Sequence, residues 1–225
     1  ALDIIRRQVK LMVRLIDDLL DVGRITSSKL TLQLAPVRLK DVVSDAVETV
    51  RPLIEQRRHA LALHATDDAW WVRADRTRLT QVMANLLNNA AKYTPADGRV
   101  ELDVALEGDD VRIRVGDNGI GIAPEQLASL FGLFHQEARA QPHGDGGMGI
   151  GLWLTRRLVE MHGGAIDASS AGEGLGTTVT VHLPRLRCAQ PLADAGDAAD
   201  AAMKTSASSS PAAAPAELRD KLRVV

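Results

Sequence analysis

The stretch "RVELDVALEGDDVRIRV" (99–115) alternates apolar and polar side chains at a period of two, interrupted only by "GDD". That pattern predicts two strands, 99–107 and 110–115, joined as a hairpin, each burying one face and wetting the other. A sheet of this kind needs an apolar layer laid against it. "ALALHA" (60–65), "WWVRA" (70–74), "AIDAS" (165–169) and "TTVTVHLP" (177–184) read as further strands, and another is expected around Leu30 to Leu34. Helical periodicity covers 39–58, 150–162 and the segment after Asp75, where Leu79, Val82, Met83, Leu86, Leu87 and Ala90 mark one apolar face. Asp75 is the expected N-cap there, Gly163-Gly164 stop the helix that precedes them, and "PEQLASLF" reads as a short helix. Hairpins mixed with crossover helices predict an α/β fold: a two-layer sandwich of one mixed β-sheet with helices on one face.

One helix precedes this domain. Leu2, Ile5, Val9, Met12, Ile16 and Leu19 step by three and four, and Ile4, Leu11, Leu15 and Val22 widen the seam, so residues 2–22 read as half of a helical hairpin, with a terminal helix packed on its own domain as the alternative. The chain opens on Ala1, already inside that pattern, and reads as a piece of a longer protein. Residues 1–28 are taken as one helix of a helical hairpin and 29–186 as the sandwich domain. Residues 187–225, rich in alanine and serine, are taken as a flexible linker, whose closing "LRVV" suggests a strand of a further domain.

A formal net charge of −2 over 225 residues argues against nucleic acid or a membrane surface as a partner. The single cysteine, Cys188, makes no internal disulfide, which fits a reducing compartment. No apolar run approaches the roughly 18 residues of a membrane span, and no signal peptide opens the chain. The expected location is the cytoplasm, with any membrane anchor upstream.

Asn85 and Asn89 lie four apart on the apolar helix, and Lys92 follows three later, so all three share a second, polar stripe. Asparagine is a mediocre helix former, which asks for a reason beyond packing. "VGDNGIGI" (115–122) sets Asp117 after a strand with Gly119 and Gly121 close behind. A carboxylate there can accept from an exocyclic amine of adenine; an ordinary glycine turn with a solvated aspartate is the alternative. "GDGGMGIGL" (144–152) contains G-x-G-x-x-G, but the polar "FHQEARAQPH" before it offers no strand, which argues against a dinucleotide fold. A glycine loop feeding a helix N-terminus that can receive phosphate remains.

Asn85-x-x-x-Asn89, Asp117-x-Gly119-x-Gly121, "LFGLF" (130–134), Gly147-x-Gly149-x-Gly151 and "GLGTT" (174–178) occur in that order. Together they resemble the five boxes of the ATP-binding domain of sensor histidine kinases, in the GHKL superfamily shared with DNA gyrase and MutL. "VRLIDDLLDVGRITSSKLTL" is similar to the second helix of that family's dimerisation and phosphotransfer hairpin. The resemblance implies ATP and Mg²⁺ as cofactors. Asn89 would ligate Mg²⁺, Asn85 would support the ion or its waters, Lys92 would meet a phosphate, and Tyr93 would pack near the nucleoside. Asp117 would read adenine with Thr177 as its neighbour across the sheet, and Gly119, Gly121 and Ile122 would line that pocket. Gly147, Met148, Gly149, Ile150, Gly151 and Leu152 would form the hinge and the phosphate-facing helix start, with Phe131 and Phe134 anchoring the lid. Where many relatives carry an arginine after the second phenylalanine, His135 and Gln136 stand here, leaving Arg139 as the candidate for the γ-phosphate.

The implied partners are an acceptor-histidine helix of the same or a partner subunit, a second copy in a homodimer, and a response-regulator receiver domain. None of the six histidines stands on a first hairpin helix before an acidic residue, so the acceptor is expected to lie elsewhere. Two other functions compete. A GHKL ATPase or clamp would carry a glutamate one turn before the magnesium asparagine, where Asn85 cannot take a proton. A nucleotide-binding interaction module would never transfer phosphate at all.

Overall fold

In the computed structural model, which describes residues 2–27, 29–65, 70–133 and 149–187, the predicted hairpin lies at the centre of the sheet. The first elements in chain order are α1 (Leu2–Thr26), β1 (Ala35–Arg38), α2 (Leu39–Gln56), β2 (Ala60–Ala65), β3 (Trp71–Ala74) and α3 (Arg76–Tyr93). Then come β4 (Arg99–Glu107), β5 (Asp110–Asp117), α4 (Pro124–Leu127), α5 (Gly151–Met161), β6 (Ala165–Ser169) and β7 (Thr177–Pro184). β2, β4, β5, β7 and β6 lie side by side in that order. β2 runs parallel to β4 and every other neighbour is antiparallel, so the sheet is mixed.

The hairpin register sets Glu107 opposite Asp110 and Val100 opposite Asp117. Val100, Leu102, Val104, Val111, Ile113, Val115, Val181 and Leu183 therefore share a buried face. The other face is wet and carries pairs such as Arg112 with Asp103 at 3.1 Å. α3 packs on the buried face through Leu79, Val82, Met83, Leu86, Leu87, Ala90 and Ala91, the predicted set with Ala91 added. Each such leucine contributes about 1.5–3 kcal/mol relative to exposure, which outweighs the poor helix propensity of three asparagines. α2 and α5 flank α3 and close the same core.

β1 and β3 form a separate two-stranded antiparallel ribbon, with Ala35 opposite Ala74 and Arg38 opposite Trp71. The strand expected at 30–34 is not there; residues 29–34 have no ladder partner. Leu30 and Leu32 still reach the core as half-buried side chains, while Leu34 is exposed. The alternation at those positions records burial of alternate side chains rather than strand pairing. "PEQLASLF" is helical only over Pro124–Leu127 and continues as turns.

α1 runs past the predicted end at residue 22 to Thr26, where Val22 and Ile25 are buried. Before that, Val9, Met12, Val13, Ile16, Leu19 and Leu20 are all more than half exposed. Asp21 on this helix is 5% exposed, and its carboxylate accepts from both Nη atoms of Arg78 on α3 at 2.5 and 3.0 Å. The Gln81 amide adds a bond to the same carboxylate at 3.3 Å. Among the described residues no helix is long and apolar enough to cross a membrane. The expected linker, from residue 188 on, lies outside the described residues.

Candidate functional site

α3 is held at its start, middle and end by other elements, and the asparagine stripe lies between. At the start, Asp75 Oδ1 accepts from the Arg78 amide at 3.2 Å as the predicted cap, and Oδ2 accepts from the Gln33 amide at 3.1 Å. The Asp75 amide in turn donates to His162 Nε2 at 3.1 Å. That bond requires the His162 proton on Nδ1, from which it donates to the Leu158 carbonyl at 2.7 Å. The start of α3 is thereby tied to the end of α5.

In the middle, the Asn85 amide nitrogen donates to the Thr155 hydroxyl of α5 at 2.8 Å. Gly151 opens α5 directly against this amide: a Cβ there would stand 2.9 Å from Asn85 Oδ1. Asn89 and Lys92 follow on the same stripe, half-buried. The Lys92 ammonium lies 4.8 Å over the Tyr93 ring and 3.4 Å from its hydroxyl. At the end, the last carbonyls of α3 are taken up one by one. Thr94 meets Ala90 O through both amide and hydroxyl, Arg57 donates to Lys92 O at 2.9 Å, and the Ile120 amide donates to Tyr93 O at 3.1 Å.

That last bond brings the Asp117 loop against the asparagine helix. Asp117 closes β5 opposite Thr177 of β7. Its Oδ1 accepts from the Gly119 amide at 2.8 Å and the Thr177 amide at 3.3 Å. Burial raises the carboxyl pKa, and these two amides oppose the rise. The bonds fall on one oxygen, so the other can accept from an amine. Gly121 has φ +67°, and a Cβ on it would meet the Gly172 carbonyl at 2.0 Å, so only glycine lets the two loops cross. The Ile122 amide donates to Ser170 Oγ at 3.0 Å, and that hydroxyl donates to Gly176 O at 2.7 Å.

Gly149 has φ +71°, and the Ile150 carbonyl accepts the first helical bond of α5, from Leu154 at 2.9 Å. Ile150 has no polar side chain to cap the helix, and its own side chain is buried with half-buried Leu152 beside it. The first-turn amides of α5 form an electropositive end next to Asn85. Phe134, Gly147, Met148 and Arg139, named from the sequence, lie outside the described residues, as do His135 and His143. His59 donates through Nε2 to Pro95 O at 3.0 Å, and His64 and His182 sit in β2 and β7.

Thr155, Ser170 and Arg57 were not singled out by sequence reasoning. Thr155 alone left a signal, a hydroxyl one turn after Gly151 on the face of α5 that buries Leu154, Leu158 and Val159. The donor set suits a hard cation that arrives with a ligand. Two neutral amides offer oxygens, and no group of three or more His, Cys, Asp or Glu among the described residues could hold a metal without one.

The family described as histidine kinase-, DNA gyrase B-, and HSP90-like ATPase matches residues 74–187. The chain is 37% identical over 183 residues, 80% of its length, to the circadian input-output histidine kinase CikA of Synechococcus elongatus, of which it covers 24%. It is 32% identical over 184 residues to the sensor histidine kinase WalK of Bacillus subtilis, covering 80% of this chain and 29% of that protein. Full-length ShkA, solved in complex with AMPPNP, superposes with a TM-score of 0.66 at 30% identity, over 80% of this chain and 37% of that one. The chain thus spans about a quarter of the length of these curated relatives.

Proposed function

The chain belongs to the histidine kinase-, DNA gyrase B-, and HSP90-like ATPases, and from that premise we propose that it is the ATP-binding catalytic part of a sensor histidine kinase. It binds Mg-ATP and presents the γ-phosphoryl group to a histidine on a hairpin helix supplied by the same or a partner subunit. The observation that supports this reading is that the helix carrying Asn85, Asn89 and Lys92 meets both glycine-lined elements: Asn85 lies against Gly151 at the start of α5, and the Tyr93 carbonyl accepts from Ile120 in the loop after Asp117.

On this reading the free oxygen of Asp117 accepts from the adenine amine, which guanine replaces with a carbonyl. Asn89 offers its amide oxygen to the metal, with Asn85 beside it, and Lys92 and the first-turn amides of α5 face the phosphates. Mg²⁺, when bound, neutralises phosphate charge and fixes the phosphate oxygens. Transfer then needs little beyond alignment and charge neutralisation. A base to activate water is missing from the stripe, because neither Asn85 nor Asn89 takes a proton. The partners follow: a second copy through α1, a cytoplasmic setting, and a receiver domain as the final phosphate acceptor.

Incubation of the chain with γ-labelled ATP and a separately supplied acceptor-histidine hairpin tests this. Acid-labile, base-stable label is expected on the hairpin and not on the chain alone. Release of inorganic phosphate to water with no label on the hairpin would favour an ATPase instead.

A further inference from the structure

Ser170, just past the end of β6, gathers backbone from both loops that flank Asp117. Its partners set the roles in its bonds, since an amide N–H only donates and a carbonyl only accepts. Ser170 Oγ accepts from the Ile122 amide at 3.0 Å and from the Gly172 amide at 3.3 Å. Its one proton has two carbonyls in reach, Gly176 O at 2.7 Å and Gly172 O at 3.3 Å, and the shorter bond takes it. The Gly176 carbonyl and the Thr177 amide belong to one peptide unit, and in a planar trans peptide the two point in opposite directions. Ser170 therefore holds one side of that plane, while the N–H on the other side reaches Asp117 Oδ1 at 3.3 Å. The second bond to Oδ1, from Gly119 at 2.8 Å, comes from the aspartate's own turn and moves with it. The Thr177 amide is what ties the carboxylate to β7. A carboxylate held by one bond can pivot about it; bonds from two elements fix where its second oxygen aims.

We propose that Ser170 is a positioning residue for base recognition: its hydroxyl aims the Thr177 amide at Asp117 and so fixes the carboxylate oxygen that meets the exocyclic amine of adenine. The same hydroxyl holds the glycine turn at Ile122, so one atom sets both sides of the base site. Ser170 acts through Thr177 and Asp117 and needs no contact with the nucleotide itself. This rests on the reading of Asp117 as the group that accepts from adenine, and the two fail in different ways.

The probes are ATP and purine riboside triphosphate, which differ by the exocyclic amine alone. Both are titrated calorimetrically into the whole chain for the parent, Ser170→Ala, Ser170→Thr and Asp117→Asn. The preference for ATP is expected to fall about fivefold in Ser170→Ala, the scale of one hydrogen bond. Affinity for the amine-free nucleotide should stay near the parent value, and Ser170→Thr should keep the preference, because it keeps the hydroxyl. In the nucleotide-free chain, Ser170→Ala should speed exchange of the Thr177 amide while Val179 and Val181, inside β7, keep the parent rate. Equal losses for both nucleotides in Ser170→Ala would reduce Ser170 to a loop support and overturn the proposal. So would a full ATP preference in Ser170→Ala, an unchanged Thr177 exchange rate, or the same loss in the alanine and threonine variants. If Asp117→Asn keeps the preference for ATP, Asp117 does not read the base and the proposal falls with that reading. If Asp117→Asn loses the preference and Ser170→Ala does not, the proposal alone falls.

Discussion

At Asp117 the proposed reading of adenine and the stability of the fold pull in opposite directions. Burial holds its carboxyl pKa above the ordinary value despite the Gly119 and Thr177 amides. A carboxyl that binds its proton more tightly when folded contributes stability below the ordinary carboxylate range and loses it as pH rises through the raised value. The ionised Asp117 of neutral pH therefore weighs against the fold. Asp117→Asn keeps the shape and lets Oδ1 go on accepting both amides while removing the charge. Its thermal midpoint at neutral pH is expected to equal or exceed the parent's, and the advantage should shrink toward about pH 4. The same variant should lose its preference for ATP over GTP, because the new NH₂ can donate to the guanine carbonyl. An unchanged ATP to GTP affinity ratio would remove Asp117 from base reading. Residues of this kind were legible because type and spacing announce them: an acid before Gly-x-Gly, amides four apart. Ser170 left no such mark, since a serine in a loop looks the same whether it faces water or ties Ile122 to Gly176.

The ends of α3 matter as much as its stripe. Arg57, at the close of α2, holds the Lys92 carbonyl at 2.9 Å, while Ile120 holds that of Tyr93. Arg57→Met keeps much of the side-chain bulk and loses the donor. The expected cost is about 1–2 kcal/mol in denaturant unfolding, with faster amide exchange confined to the last turn of α3 and residues 94–98. Uniformly faster exchange across the sheet would show that Arg57 supports the whole core instead. The elements were largely readable from the sequence. The GDD turn set the register of β4 on β5, and Asp75 announced α3 through its cap. At 30–34 the reading failed for a physical reason. A period of two reports which side chains are buried, whereas a strand also needs a neighbour, and only residues 35–38 find one in β3. The bonds from Arg57 and Ile120 were not readable, because they join residues far apart in sequence and depend on where the helix stops.

For the molecule as a whole, α1 presents the largest imbalance. Val9, Met12, Val13, Ile16, Leu19 and Leu20 are exposed, while Asp21 is buried in a two-pronged pair with Arg78. Such a stripe favours association with an equal. Sedimentation of the chain should show self-association, and Ile16→Lys with Leu19→Lys should abolish it without changing ATP affinity. A monomeric parent at high concentration would contradict this. At the other end of α1, Arg78→Met strands the Asp21 charge, with an expected loss of about 3 kcal/mol, or release of the end of α1 from α3 seen as rapid exchange at residues 21–26. The sandwich was visible in the order of strands and helices; the anchoring of α1 was not, since Asp21 reads as one more surface acid on an amphipathic helix.

On the proposed function, Asn85, bonded to Thr155 and unable to take a proton, bears on how such a protein rests. Neither asparagine of the stripe activates water, so a nucleotide bound there would survive between encounters with its acceptor. Background output would then follow how often the acceptor arrives, not how fast the nucleotide decays. An idle molecule would stay both loaded and quiet, and the contrast between resting and stimulated states would come from geometry.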